Sequence, residues 1–222
     1  MCPQALRRAF EKYISLGKKP KAVLVVHLYG LAADLDPILE ICEEFNVPLI
    51  EDAAESLGSF YKGKATGTLG ELGAYSFNGN KIITTSGGGM LVSNDQEKIS
   101  KAKFWATQAR EPAKHYEHKE LGYNYRLSNI LAGIGRGQLK VLEERVAQKK
   151  HIYEYYKEAF SDIEEITMMP VQEYDQPNYW LSCIQLRDKP KPIDILKALH
   201  AHNIDARPIW KPMHLQPYYK DF

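Results

Sequence analysis

The chain has 222 residues, 44% of them hydrophobic and 26% charged, which is enough apolar material for one large domain or two small ones. Twenty-nine Lys and Arg balance 28 Asp and Glu, and no basic stripe runs along the sequence, so nucleic acid is not expected as a partner. Cys2, Cys42 and Cys183 are odd in number and form no CxxC, which argues against a disulfide framework and a zinc site.

The N-terminal stretch MCPQALRRAFEKYISLG reads as an amphipathic helix without the apolar core of a secretion signal. The longest apolar run, Ala22–Val26, is too short for a membrane span, and a cytoplasmic protein is expected. Lys21–Gly30 (KAVLVVHLYG) reads as a strand buried on both faces. DLDPILEICEEFNV follows as a helix, with Leu35, Ile38, Leu39, Cys42 and Phe45 at helical spacing and Pro37 near its start. PLIEDAAESLG is a second buried strand that ends in acid, and GAYSFN and GGMLVSN are two more short strands. Strand, helix and strand at these lengths predict a βαβ unit, hence an α/β fold with a mostly parallel sheet.

Further along, Asp95–Gln108 predicts a helix and Arg110–Arg126 an irregular segment. One long helix is expected from Ser128 to about Phe160, with Leu131, Ile134, Leu139, Leu142 and Val146 on its apolar face. Pro177–Leu186 reads as a strand and Pro192–Ile204 as a helix. A boundary near residue 145 divides a large domain, 1–145, from a smaller one, 146–222. Only four strands can be assigned to the main sheet, and the chain is expected to be part of something larger.

Asp52 sits at the end of a buried strand, where open α/β sheets place ligands, although an aspartate there also reads as a helix cap. Lys81 lies between a strand end and a glycine turn, beside Thr84 and Thr85. A desolvated lysine can lose its proton and attack an aldehyde. A solvated loop lysine is the alternative. An aldehyde on a pyridine ring needs a carboxylate for the ring nitrogen, donors for its phosphate and a small flat support, which Asp52, Ser76 and Ala54 could supply.

Three stretches, VVHLYG…DLDPILEICEEFNVPLIEDAAESLG, GAYSFNGNKIITTSGGGMLVS and GYNYRLSNILAGIGRGQL, occur in order and at fitting separations. Together they resemble the DegT–DnrJ–StrS family of pyridoxal-phosphate-dependent nucleotide-sugar aminotransferases, over roughly Lys21 to Phe160. Within it, FNGNKIITTSGGGM, TQARE and HYEH are most similar to enzymes that aminate C4 of UDP-4-keto-6-deoxy-N-acetylglucosamine. The resemblance implies a partial fold-type-I large domain and part of a small α+β domain, with the family's first strands and its C-terminal end lying outside the 222 residues.

By the same resemblance Lys81 carries the cofactor and shuttles the proton, Asp52 pairs with the pyridine nitrogen, Ala54 lies against the ring and Ser76 holds the phosphate. Asn124 of GYNYR reaches the phosphate of the neighbouring subunit, which implies a homodimer. Glu55 falls near the cofactor's phenolic oxygen, where a carboxylate must be protonated or turned away. The implied reaction moves an amino group, glutamate being the donor, to a 4-keto-6-deoxy nucleotide sugar for glycan synthesis. Sugar dehydratases of the same scaffold carry histidine in place of the lysine, so Lys81 favours amination. The remaining alternative is a catalytically incomplete chain acting as an interaction subunit. Arg110 and Arg126 could meet a diphosphate or form internal ion pairs, His115, His118, His200 and His202 read as surface residues, and Trp180 and Trp210 as core.

Overall fold

The structure, a computed structural model, describes residues 1–187 and 189–220. The chain divides into two compact units, one formed by 1–152 with 171–181 and the other by 153–170 with 182–222.

In the first unit, α1 (Pro3–Ser15) starts with Pro3, whose fixed φ suits the first helical turn and whose missing N–H costs nothing there. Strand β1 (Val23–Val26) leads through a turn at Tyr29 and Gly30 into α2 (Leu35–Glu44). Asn46, at φ 48°, follows that helix in the left-handed conformation common just past a helix end. Next come β2 (Leu49–Asp52), the short strands β3 (Phe60–Tyr61) and β4 (Lys64–Ala65), then β5 (Leu72–Ser76) and β6 (Gly89–Val92). The main sheet has the order β1-β2-β5-β6. Its first three strands are parallel, with Val26 opposite Asp52 and Asp52 opposite Ala74, and β6 returns antiparallel to β5.

Leu35, Ile38, Ile41 and Cys42 of α2 and Phe10 of α1 form the core with Val23, Val25 and Leu49 beneath them. Phe10 stacks on Phe45 at 4.6 Å between centroids, and the Arg7 guanidinium donates to both oxygens of Glu44 at 2.9 and 2.7 Å. β1 is therefore buried on one face, not two. Val25 is fully buried while Leu24 is 54% and Val26 40% exposed, because α1 and α2 pack on a single side of it. The period-two pleat divides an unbroken apolar run between two environments.

Helix α3 (Gln96–Ala106) opens on Asp95, whose carboxylate accepts from the Glu97 and Lys98 N–H groups. The long helix expected from Ser128 is two helices, α4 (Asn129–Leu139) and α5 (Leu142–Ala159), interrupted at Lys140–Val141. Ser128 caps the first through Leu131 N–H. Ile134 and Leu139, expected on a packed face, are 47% and 56% exposed.

The smaller unit contains β7 (Ile166–Met168), paired antiparallel with β9 (Ile184–Leu186), and α6 (Pro192–Ala201). Tyr153 donates its hydroxyl to Met169 O at 2.8 Å. β8 (Asp175–Gln176) belongs to the first unit, pairing with β3. The strand expected over Pro177–Leu186 is confined to its last three residues. At 178 and 180 the backbone is held by side-chain hydrogen bonds instead of a ladder.

Candidate active site

Parallel strands end on a common edge, and Asp52 and Ser76 fall on that edge. Asp52 closes β2, and its Oδ1 accepts from Ala54 N–H at 3.1 Å. Its carboxylate thus folds over its own turn. Oδ2 takes no hydrogen bond among the described residues and remains available to a further donor. Ser76 closes β5, where its hydroxyl accepts from Asn78 N–H at 3.3 Å.

Lys81 follows in a turn closed by its own N–H to Asn78 O at 3.1 Å. It is not a solvated loop lysine, since its side chain is only 12% exposed. Its Nζ stands 3.9 Å from Glu55 Oε1 and 4.4 Å from the centre of the Trp180 ring. Glu55 is itself buried, and its Oε2 accepts from Tyr29 N–H at 2.6 Å. Burial pushes the Glu55 carboxyl above the usual range. Tyr29 N–H and Lys81 pull it back, and the charge of Asp52 raises it further. Glu55 therefore feels both Asp52 and Lys81, so the two ends of the expected cofactor site share one electrostatic neighbourhood.

The hydroxyls after Lys81 hold their own turn together. Thr84 Oγ1 donates to Phe77 O at 3.1 Å and accepts from Ser86 N–H at 2.9 Å, and Thr85 Oγ1 donates to Gly87 O. Ser86, at φ 68°, completes the turn between β5 and β6.

Behind the edge lies a buried polar pair. Glu51 accepts from Gly67, Leu69 and Gly70 N–H groups. It is also 2.9 Å from His27 Nε2. Ala33 N–H donates to His27 Nδ1, so the hydrogen on Nε2 faces Glu51. Burial alone would raise the Glu51 carboxyl. The bonds from His27, Gly70 and Gly67 outweigh it and hold the group below its ordinary range.

Asn124 is not part of this cluster. It bridges Thr107 and lines an open cleft of about 500 Å³ with Arg110 and Arg126. The Arg110 guanidinium lies 4.3 Å from the centre of the Tyr116 ring, and His118 Nδ1 is 2.8 Å from Gln108 O. His115 and His200 lie on the surface beside Glu117 and Asp205. Among the described residues no group of three or more His, Cys, Asp or Glu could hold a metal, and no helix is long and apolar enough to cross a membrane.

Trp180 and Asn178, which sequence reading did not place there, lie beside Lys81 and Glu55. Trp180 is buried as expected of a core residue, yet its ring lies against the Lys81 amine. They stand 97 to 99 positions beyond Lys81, and neither spacing nor motif links them to it.

The profile described as the DegT/DnrJ/EryC1/StrS aminotransferase family matches residues 1–222. The chain belongs to the DegT/DnrJ/EryC1/StrS family. It is 54% identical over 219 residues to EpsN of Bacillus subtilis, a match covering 99% of this chain and 56% of EpsN. It is 36% identical over 204 residues to GDP-perosamine synthase of Caulobacter vibrioides, covering 90% of this chain and 55% of that enzyme. The crystal structure of a DegT/DnrJ/EryC1/StrS aminotransferase from Brucella abortus superposes with a TM-score of 0.89 at 30% identity, covering all of this chain and 59% of the other. Helicobacter pylori PseC, an aminotransferase of pseudoaminic acid biosynthesis, superposes at 0.87 and 27% identity over 96% of this chain and 58% of its own. The chain thus has the mixed α/β fold of the family's aminotransferases and spans a little over half the length of the relatives it matches.

Proposed function

We propose that this DegT-family chain contributes the lysine-bearing site of a cytoplasmic pyridoxal-phosphate-dependent aminotransferase. It would move an amino group from glutamate to C4 of a 4-keto-6-deoxy nucleotide sugar for glycan synthesis, in a homodimer. The observation that carries the proposal is the nearly buried Lys81 amine beside Glu55, on the edge where Asp52 ends its strand. The GDP-perosamine synthases and PseC among its relatives support the substrate class.

The donor set fits the cofactor. Asp52 has an oxygen without a hydrogen bond among the described residues at the strand edge, Ser76 offers a hydroxyl at the neighbouring strand end, and Lys81 offers a primary amine shielded from bulk water. Pyridoxal phosphate, when bound, supplies the electron sink and the exchangeable carbonyl carbon of transamination.

The chain's own residues have separate tasks. Asp52 would pair with the ring nitrogen, and Ala54 would leave room for the ring. Ser76 would bind the phosphate, with Asn124 of the neighbouring subunit. Lys81 would hold the cofactor through Nζ and, when released, take and return a proton at the same atom. Glu55, whose carboxyl is raised by burial, would lie near the phenolic oxygen, where a protonated carboxyl would not repel it.

The test is spectroscopic and then chemical. Pyridoxal phosphate added to the purified chain should give a visible absorption band that Lys81→Ala abolishes. Glutamate followed by a UDP- or GDP-linked 4-keto-6-deoxy sugar should then yield the 4-amino sugar. Absence of the band in the parent protein would reject the reading in favour of an interaction subunit. A band with release of water from the sugar in place of amination would reject the reaction class.

A further inference from the structure

The segment after β8 runs as an irregular strap past Lys81. Tyr179 lies in the left-handed region at φ 55°, a conformation that needs outside support in a bulky residue. That support comes from Asn178, which is fully buried. Asn178 Oδ1 accepts from Trp180 N–H at 2.9 Å, and Nδ2 donates to Glu55 O and Leu57 O at 2.8 and 2.9 Å. Its backbone N–H donates to Ser59 Oγ, which in turn donates to Gly30 O at 2.7 Å. One side chain therefore fixes both neighbours of the Lys81 amine, Glu55 through its carbonyl and Trp180 through its amide. The indole N–H donates to Asn80 O at 2.7 Å, which ties the ring to the residue just before the lysine.

We propose that Trp180 is a positioning residue for Lys81: the indole face receives the lysine amine, and Asn178 is the clip that holds face and Glu55 in register. An aromatic face carries the negative part of its quadrupole and attracts an ammonium group set over it. The 4.4 Å separation places Nζ within that range, and the Glu55 carboxyl, at 3.9 Å, is its other neighbour. The amine thus has a defined resting place whenever it is not bonded to another group. Its function in transamination rests on the reading above, in which Lys81 is released in the first half-reaction and re-engaged in the second. The resting place itself is a property of this chain.

Trace acetylation of the cofactor-free protein by acetic anhydride, read at Lys81 by peptide mass spectrometry, tests the proposal without the cofactor. Trp180→Leu keeps apolar bulk and removes the face, and should raise the labelling rate of Lys81 about threefold or more. Trp180→Phe keeps a face and loses the indole N–H, and should label close to the parent. Unchanged labelling in the Leu variant, or Phe behaving as Leu, overturns the proposal. In the second case the indole acts only through its bond to Asn80. If the Leu variant does not fold, the parent labelled with 5-fluorotryptophan serves. Lys81→Met should move the ¹⁹F resonance of Trp180 and leave those of Trp105 and Trp210 in place, and an unmoved Trp180 resonance contradicts the contact. The visible band with pyridoxal phosphate is recorded in parallel. No band in the parent rejects the aminotransferase reading but leaves the labelling result to decide on Trp180. A band with unchanged labelling rejects Trp180 alone.

Discussion

Two buried carboxyls in the first unit titrate in opposite senses. Asp175 Oδ1 accepts from Ala32 N–H, and its Oδ2 is buried with no hydrogen-bond partner among the described residues. Burial pushes its carboxyl up to about 6, against the smaller pull of Ala32 N–H and His27. The folded form therefore binds a proton that the unfolded chain releases near its ordinary value of about 3.9, so stability falls as pH rises from about 4 to 6 and stays reduced above it. Asp175→Asn keeps an acceptor for Ala32 and removes the charge. It also sets an NH₂ where Oδ2 has no partner, a cost of about 1–3 kcal/mol that offsets the gain, so stability near neutral pH should change little while this pH dependence flattens, measured by urea denaturation across pH. Glu51 runs the other way. Its depressed carboxyl gives stability that is present above the unfolded value and lost as pH falls through the folded one. Glu51→Gln sets an NH₂ among four donors and should cost about 3 kcal/mol at neutral pH in the same assay. Neither partner set was legible in the sequence, because Asp175 is 143 positions from Ala32 and Glu51 is joined by a turn whose glycines give no side-chain signal.

At the scale of elements, periodicity carried the reading for α2, whose apolar spacing and Pro37 mark the face that meets the core. α1, α3 and α6 also lie within the stretches read as helices. The period gave no warning of the break at Lys140–Val141, since both flanking helices continue an acceptable pattern. Nor did it show that residues 178–180 are held by side-chain hydrogen bonds of Asn178 and Ser59 and not by a ladder, because a β-rich run looks the same in either state. Two substitutions measure these contacts. Phe10→Ala should cost about 3–5 kcal/mol, since the ring is buried and stacked on Phe45. Gly30, at φ 91°, faces Asn178 so closely that a Cβ would lie 2.0 Å from Oδ1. Gly30→Ala should therefore displace the strap and cost about 2–4 kcal/mol by thermal denaturation. It should also raise acetylation of Lys81.

For the whole molecule, the division of labour follows from the sheet. Parallel strands bring Asp52 and Ser76 to one edge from positions 24 apart, and the connection after β5 delivers Lys81 to the same place. The sequence disclosed this edge through its motifs and the resemblance they carried, but not the aromatic face that meets the amine. Lysines on the surface, such as Lys62 and Lys98, are engaged by Asp36 and by Asp95 with Glu71, and are about half exposed. Selectivity for Lys81 must therefore come from the site and not from exposure, and this is directly measurable. The chain is mixed with an equimolar amount of pyridoxal phosphate, reduced with borohydride and mapped by peptide mass spectrometry. The phosphopyridoxyl group should be found on Lys81 and be lost in Asp52→Ala. Label scattered over exposed lysines with Lys81 unmodified would contradict the assignment of this edge as the cofactor site.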